Sequence, residues 1–111
     1  MGFVAKVIDG LTGKKSIFTH YYVDNALGTK ELYQFEIRQV RRNDWRAYVL
    51  QHPPLDGRSG NGAKIHLYAD KRGKYVCVVQ QIRSEEKMLA VAKLWAQKFQ
   101  RYVETGKDFN E

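Results

Sequence analysis

Alternation of apolar and polar residues predicts β-strands over most of the first 83 residues of this chain. The clearest example is Tyr33, Phe35 and Ile37, which alternate with polar residues and therefore share one face of an extended strand. The alternation slips after Ile37, because the next apolar residue comes three positions later, and this predicts a bulge near Gln39. Similar patterns predict further strands over residues 3–8, 15–23, 45–51, 64–69 and 74–80.

Turn residues separate these predicted strands. Asn43-Asp44 is typical of a tight hairpin turn, and the segment Asp70-Lys71-Arg72-Gly73 predicts a second hairpin in which Gly73 has a positive φ. Residues 52–63 contain both prolines of the chain and three glycines, which exclude regular structure and predict the longest loop.

The spacing of apolar residues changes after residue 83 to one every three or four positions, from Met88 to Tyr102. This period predicts an amphipathic helix over residues 84–106. Ser84 is a favourable N-cap residue, and Gly106 is a favourable residue just past the C-terminal end.

These elements predict an α+β fold, with a five- or six-stranded, mainly antiparallel sheet and one long C-terminal helix packed on one face. No linker or repeat divides the chain, so we expect one domain over residues 1–111, with a sheet portion (1–83) followed by the helix (84–106). A chain of 111 residues buries roughly two-thirds of its unfolded surface, which is enough for a core without disulfides or metals.

The positive charge of the chain is concentrated in the sheet portion. Residues 1–83 hold 14 Lys and Arg against 7 Asp and Glu, whereas residues 84–111 hold 5 of each. A basic patch on a sheet is typical of a surface that binds an anion, most commonly nucleic acid. A basic composition also serves solubility alone, and that explanation stays open.

Antiparallel sheets commonly leave one face open to water, and alternation defines which residues that face carries. We expect the open face to form a platform of aromatic and basic residues, namely Arg38, Arg46, Tyr48, His66 and Tyr68. Basic residues in the loops would contact phosphates, namely Arg41, Arg42, Arg58, Lys71, Arg72 and Lys74. Stacking and charge together predict non-catalytic, sequence-tolerant and salt-dependent binding of DNA or RNA.

Two other functions remain open. Tyr, Trp and Arg are also favoured in protein interfaces, so the chain is compatible with a small regulator or inhibitor of a larger enzyme, including a nucleic-acid-processing one, from a mobile genetic element. A metal-independent ribonuclease would require His20, His52 or His66 to converge with other polar groups. No motif predicts a catalytic residue, a cofactor or a metal site.

The single cysteine, Cys77, lies in an apolar strand and cannot form an internal disulfide, which predicts a reducing compartment. The first residues lack a charged segment followed by an apolar run, and no stretch approaches the roughly 20 apolar residues of a membrane span. We therefore expect a cytoplasmic protein with no membrane partner.

Overall fold

A computed structural model describes residues 4–8 and 14–110, and this part of the chain forms six strands and two helices. In chain order they are β1 (Val4–Ile8), β2 (Lys15–Asp24), β3 (Lys30–Arg41), β4 (Asp44–Gln51), α1 (Gly62–Ile65), β5 (Leu67–Ala69), β6 (Lys74–Val76) and α2 (Glu85–Thr105). Phe3, where the first strand was predicted to begin, lies outside the described residues.

The strands form one sheet in the order β1-β2-β3-β4-β6-β5, and every neighbouring pair is antiparallel. The predicted α+β fold with an antiparallel sheet and one long helix is thereby confirmed. A register shift between Gln39 and Arg41 confirms the predicted bulge. Asn43 has a φ of 56° in the β3–β4 turn, a conformation that asparagine tolerates better than most residues.

Local signals set both ends of α2 as predicted. The Ser84 hydroxyl accepts a hydrogen bond from the Lys87 amide at 3.2 Å, which satisfies one of the free donors of the first turn. Gly106 follows the last turn with a φ of 76°, a conformation that glycine adopts without strain. The apolar face of α2 then lies along the middle of the sheet.

The core lies between α2 and one face of the sheet. Tyr33 and Phe35 of β3 are fully buried, and each makes an edge-to-face contact with Trp95, at centroid distances of 6.1 Å. The Tyr33 hydroxyl donates to Gln100 Oε1 at 2.8 Å inside this core. Burial raises the pKa of Tyr33, with the nearby carboxylates of Glu31 and Glu104 adding to the effect, so the hydroxyl stays protonated.

The prediction of a strand over residues 64–69 is wrong at its start. Gly62–Ile65 form the short helix α1, whose first turn is capped by the Asn61 side chain, which accepts from the Ala63 amide. His66 ends α1 with a φ of 55°, and β5 begins only after it. Ile65 is buried in α1, and one buried apolar residue is compatible with a helix or a strand, so its apolar character did not distinguish the two.

The prediction of a strand over residues 74–80 is correct only as far as Val76. The Cys77 amide donates to the His66 carbonyl at 2.9 Å, and the chain leaves β4 at this point. It returns where the Trp45 amide donates to the Ile82 carbonyl at 2.9 Å. Between these two contacts the chain lies outside the sheet, and Val79 is fully exposed there.

Candidate nucleic-acid interface

The face of the sheet opposite α2, called the open face below, carries rows of side chains that the register defines. One row crosses five strands and consists of Phe18, Glu36, Tyr48, Tyr75 and Tyr68. The next row, toward the β3–β4 turn, consists of Ser16, Arg38 and Arg46. Alternation therefore placed Arg38, Arg46, Tyr48 and Tyr68 on the correct face.

Glu36 is the buried anion of the open face, with only 2% of its surface exposed. Arg72 donates to it through Nε and a terminal nitrogen, both at 2.7 Å, and the Ser16 hydroxyl donates at 2.8 Å. Arg38 lies 3.7 Å away. Burial alone would raise the pKa of Glu36, but the bonds from Arg72 and Ser16 and the two guanidinium charges outweigh it, and the pKa is lowered.

Asp70, in the β5–β6 turn, is the second anion of the open face. Its carboxylate accepts from the Tyr48 hydroxyl at 2.6 Å and from Arg46 at 2.7 Å. Burial opposes ionisation, but these bonds and those from the Arg72 and Gly73 amides lower the pKa of Asp70. The Arg46 guanidinium lies 4.3 Å from the centre of the Tyr75 ring, in cation–π contact.

These contacts fold the β5–β6 turn over the open face and change the expected platform. Tyr48 is 3% exposed because the turn covers it, so the expectation that its ring is available for stacking is wrong. Glu36 pairs with Arg38 and Arg72, and Asp70 pairs with Arg46. The Arg72 amide donates to Asp70 at 2.8 Å and links these five residues into one network, called the clamp below. Three arginines against two carboxylates leave the clamp a net charge of +1.

Two residues that were expected to bind nucleic acid, His66 and Arg58, lie away from the open face. His66 stacks on Phe109 at a centroid distance of 4.7 Å and an angle of 9°, on the side of the sheet that α2 covers. The left-handed turn at His66 breaks the alternation on which its placement depended. Arg58 Nε donates to the Val103 carbonyl at 3.2 Å, where the free carbonyls of the α2 C-terminus attract a cation.

Arg41, Arg42, Lys71 and Lys74 are exposed, as expected. Arg41 pairs with Asp44 of the same hairpin at 3.2 Å. The other three make no side-chain hydrogen bond or ion pair with the part of the chain that the structure describes, and the same holds for Lys15 and Arg83. These five cations are called the basic rim below: Lys15, Arg42, Lys71, Lys74 and Arg83.

Register places three members of the basic rim at the β3–β4 end of the sheet and the other two in the β5–β6 hairpin, which runs toward the C-terminal end of β4. Lys15 precedes Ser16, which pairs with Arg38 near the β3–β4 turn that contains Arg42. Arg83 follows Ile82, whose carbonyl binds the start of β4, so it lies at the same end of the sheet. Lys71 and Lys74 belong to the β5–β6 hairpin that holds Arg46 through Asp70. Lys15 and Arg83 were not predicted from the sequence, because their proximity to Arg42 depends on strand pairing.

The three histidines do not meet at one place. His20 lies on the open face, 3.1 Å from the Gln34 side chain. His52 packs on Phe99 at a centroid distance of 4.6 Å, on the face that α2 covers, where His66 also lies. A site that combined all three side chains is therefore not formed.

Within residues 4–8 and 14–110, no group of three or more His, Cys, Asp or Glu side chains is placed to hold a metal ion. Neither helix of the described chain has the length and apolar character needed to span a membrane. Comparisons with models of protein families, with curated proteins and with solved structures found no match to this chain.

Proposed function

We propose that this protein binds DNA or RNA without catalysing a reaction, and that the basic rim supplies the phosphate contacts. The observation that carries the proposal is a set of five exposed cations without a described counter-charge, three at the β3–β4 end of the sheet and two in the β5–β6 hairpin, around a clamp of net charge +1. Flexible, exposed lysines and arginines suit phosphates, because they attract the backbone and release its condensed counterions. Binding of this kind tolerates many sequences.

The clamp arginines have a different role in this proposal. Arg38 and Arg46 are largely buried and held by carboxylates, so phosphate would have to compete with an existing partner. They support the open face rather than supply its affinity. The contacts first expected from Tyr48, His66 and Arg58 are replaced by those of Lys15 and Arg83. Arg41 and Arg72, also expected to contact phosphate, are held by Asp44 and Glu36 and are not part of the rim.

The test compares two double variants that remove the same net charge. Arg42→Ala with Arg83→Ala alters the rim. Lys30→Ala with Lys107→Ala alters cations outside it, Lys30 being an exposed partner of Asp24 and Lys107 lying beyond the end of α2. Affinity for a labelled duplex and a labelled single strand is measured by fluorescence anisotropy at about 50 and 200 mM salt.

Five phosphate contacts on a duplex predict a slope of log affinity against log salt of about −4.5, which corresponds to a loss of about 500-fold between the two salt concentrations. The rim variant should flatten the slope to about −2.7, and the control variant should keep the original slope. Equal weakening in both variants would mean that net charge alone attracts the nucleic acid. Absence of binding at the lower salt concentration would refute the proposal.

One observation favours a protein partner as the alternative. Leu50 and Tyr22 are exposed on the open face, on the far side of the row that contains Glu36. An apolar contact there would depend weakly on salt, in contrast to phosphate binding. A complex that persists unchanged at high salt would support this alternative. In either case the free thiol of Cys77 fits the expected cytoplasmic location.

A further inference from the structure

We propose that a cleft between the two parts of the basic rim holds one unpaired nucleobase, so that the preferred ligand is single-stranded. The inference rests on the proposed function, because the rim supplies the phosphate contacts on which the base depends. The cleft has a volume of about 260 Å³. Its lining includes Trp45, Arg46, Tyr68, Tyr75 and Val79, together with Asp44, whose carboxylate is paired with Arg41.

The cleft exists because β6 is shorter than β4. β6 ends at Val76, so the first residues of β4, which begins at Asp44, have no strand beside them on this edge. The intervening chain turns away at Cys77 and rejoins β4 only at the bond between Trp45 and Ile82. The part of β4 that lacks a neighbouring strand forms the floor of the cleft. Trp45 of this part is nearly buried and packs in the core.

The walls suit an aromatic base. Tyr68 is 55% exposed, and its ring centre lies 5.9 Å from that of Tyr75. Arg46 already lies against the Tyr75 ring and is fixed there by Asp70. Val79 is fully exposed across the cleft and offers an apolar contact. Tyr68 is therefore the side chain available for stacking on a base that enters the cleft.

Cations of the rim lie near the cleft on two sides. Lys71 is in the turn of the hairpin that carries Tyr68 and Tyr75, whereas Lys74, next to Tyr75 in β6, points to the other face of the sheet. On the other side the Gln81 side chain donates to the Asn43 carbonyl at 2.5 Å, which brings Arg42 and Arg83 close to the chain that closes the cleft. A strand whose phosphates contact both parts of the rim would therefore pass over the opening.

The size of the cleft selects against a duplex. A volume of about 260 Å³ accommodates a single base but not a base pair. In a duplex both faces of each base are stacked, so insertion would require the base to be flipped out. A single strand presents its bases at little cost, and stacking of one base contributes about 5- to 150-fold in affinity.

The experiment compares two labelled strands of about 12 nucleotides with identical phosphates, one of oligothymidine and one of abasic residues. Anisotropy is measured at about 50 mM salt with the wild-type chain and with Tyr68→Ala, Tyr68→Phe and Tyr22→Ala. Tyr22 is the matched control, since it is an exposed tyrosine on the open face that does not line the cleft.

We expect the wild type to bind the thymidine strand about 5- to 150-fold more tightly than the abasic strand. Tyr68→Ala should abolish this preference and leave the affinity for the abasic strand unchanged, while Tyr68→Phe and Tyr22→Ala should keep it. Equal affinity of the wild type for both strands, or an unchanged preference in Tyr68→Ala, would overturn the cleft and leave the rim intact. No binding of either strand would overturn both proposals.

Discussion

Replacement of Glu36 by glutamine tests whether the clamp holds the open face together. The substitution keeps the size of the side chain but removes the charge that Arg72, Arg38 and Ser16 surround. Glutamine can still accept one bond from Arg72. Its amide nitrogen, however, points a second donor at groups that are themselves donors.

The expected loss in the free energy of unfolding is about 2 kcal/mol at neutral pH. Breaking a fully buried ion pair costs about 3–5 kcal/mol, which is the upper limit. The Arg72 side chain is 44% exposed and regains water when Glu36 is neutralised, so the cost falls below that range. Hydrogen bonds to a charged group contribute about 1.5–3 kcal/mol, which supports the same value.

The loss should depend on pH in a defined direction. The folded-state pKa of Glu36 lies below its usual value of 4.5, so its stabilisation is fully present above about pH 4.5. It is lost as the pH falls through the lowered folded-state pKa, where the native carboxylate itself takes up a proton. The difference between wild type and Glu36→Gln should therefore shrink as the pH falls below 4.5.

Urea unfolding followed by tryptophan fluorescence measures both effects. With a slope of about 2 kcal/mol per molar urea, the midpoint should fall by about 1 M at pH 7. Asp24→Asn is the control, because it breaks an exposed pair with Lys30 in which both side chains are 66% exposed, and it should cost less than about 0.5 kcal/mol. A Glu36→Gln midpoint within the range of the control, or a difference that does not change with pH, would refute the reasoning.

Two further substitutions test the helix and the core. Ser84→Ala removes the acceptor of the Lys87 amide and should lower the free energy of unfolding by about 1 kcal/mol. Ser84→Asp keeps an acceptor and should preserve the stability of the wild type. Equal urea midpoints for all three proteins would contradict the capping role. Tyr33→Phe leaves the buried Gln100 side chain without its donor and should cost about 1–2 kcal/mol in the same assay. A variant as stable as wild type would contradict the stabilising role of this hydrogen bond.

Elements with local signals were predictable from the sequence. The ends of α2 follow from Ser84 and Gly106, and its buried face follows from the spacing of apolar residues. Alternation likewise assigned Phe35 to the core and Arg38 to the open face. These signals lie within a few residues of the structure that they determine, so no knowledge of the partner strands was necessary.

The candidate site depended on contacts that are distant in sequence. Glu36 and Arg72 are 36 residues apart, and their contact requires both the strand order and the direction in which the β5–β6 turn bends. Alternation correctly placed Tyr48 on the open face but gave no sign that Asp70 would cover it. His66 was misplaced because it ends α1 in a left-handed conformation and lies outside β5, so strand alternation does not define its face.

The two carboxylates of the clamp are consistent with a polyanion-binding surface if the residues that supply affinity differ from those that fix the geometry. The basic rim carries five charges on exposed side chains, which attract phosphate at long range and adjust to its position. The clamp has a net charge of +1. Within it Asp70 holds Arg46 against the Tyr75 ring, and this fixes the wall of the cleft next to Tyr68. Without those carboxylates the arginines would repel each other and lose their fixed positions. Under the proposed function, the anions thus lower the total attraction slightly and keep the base-sized cleft open.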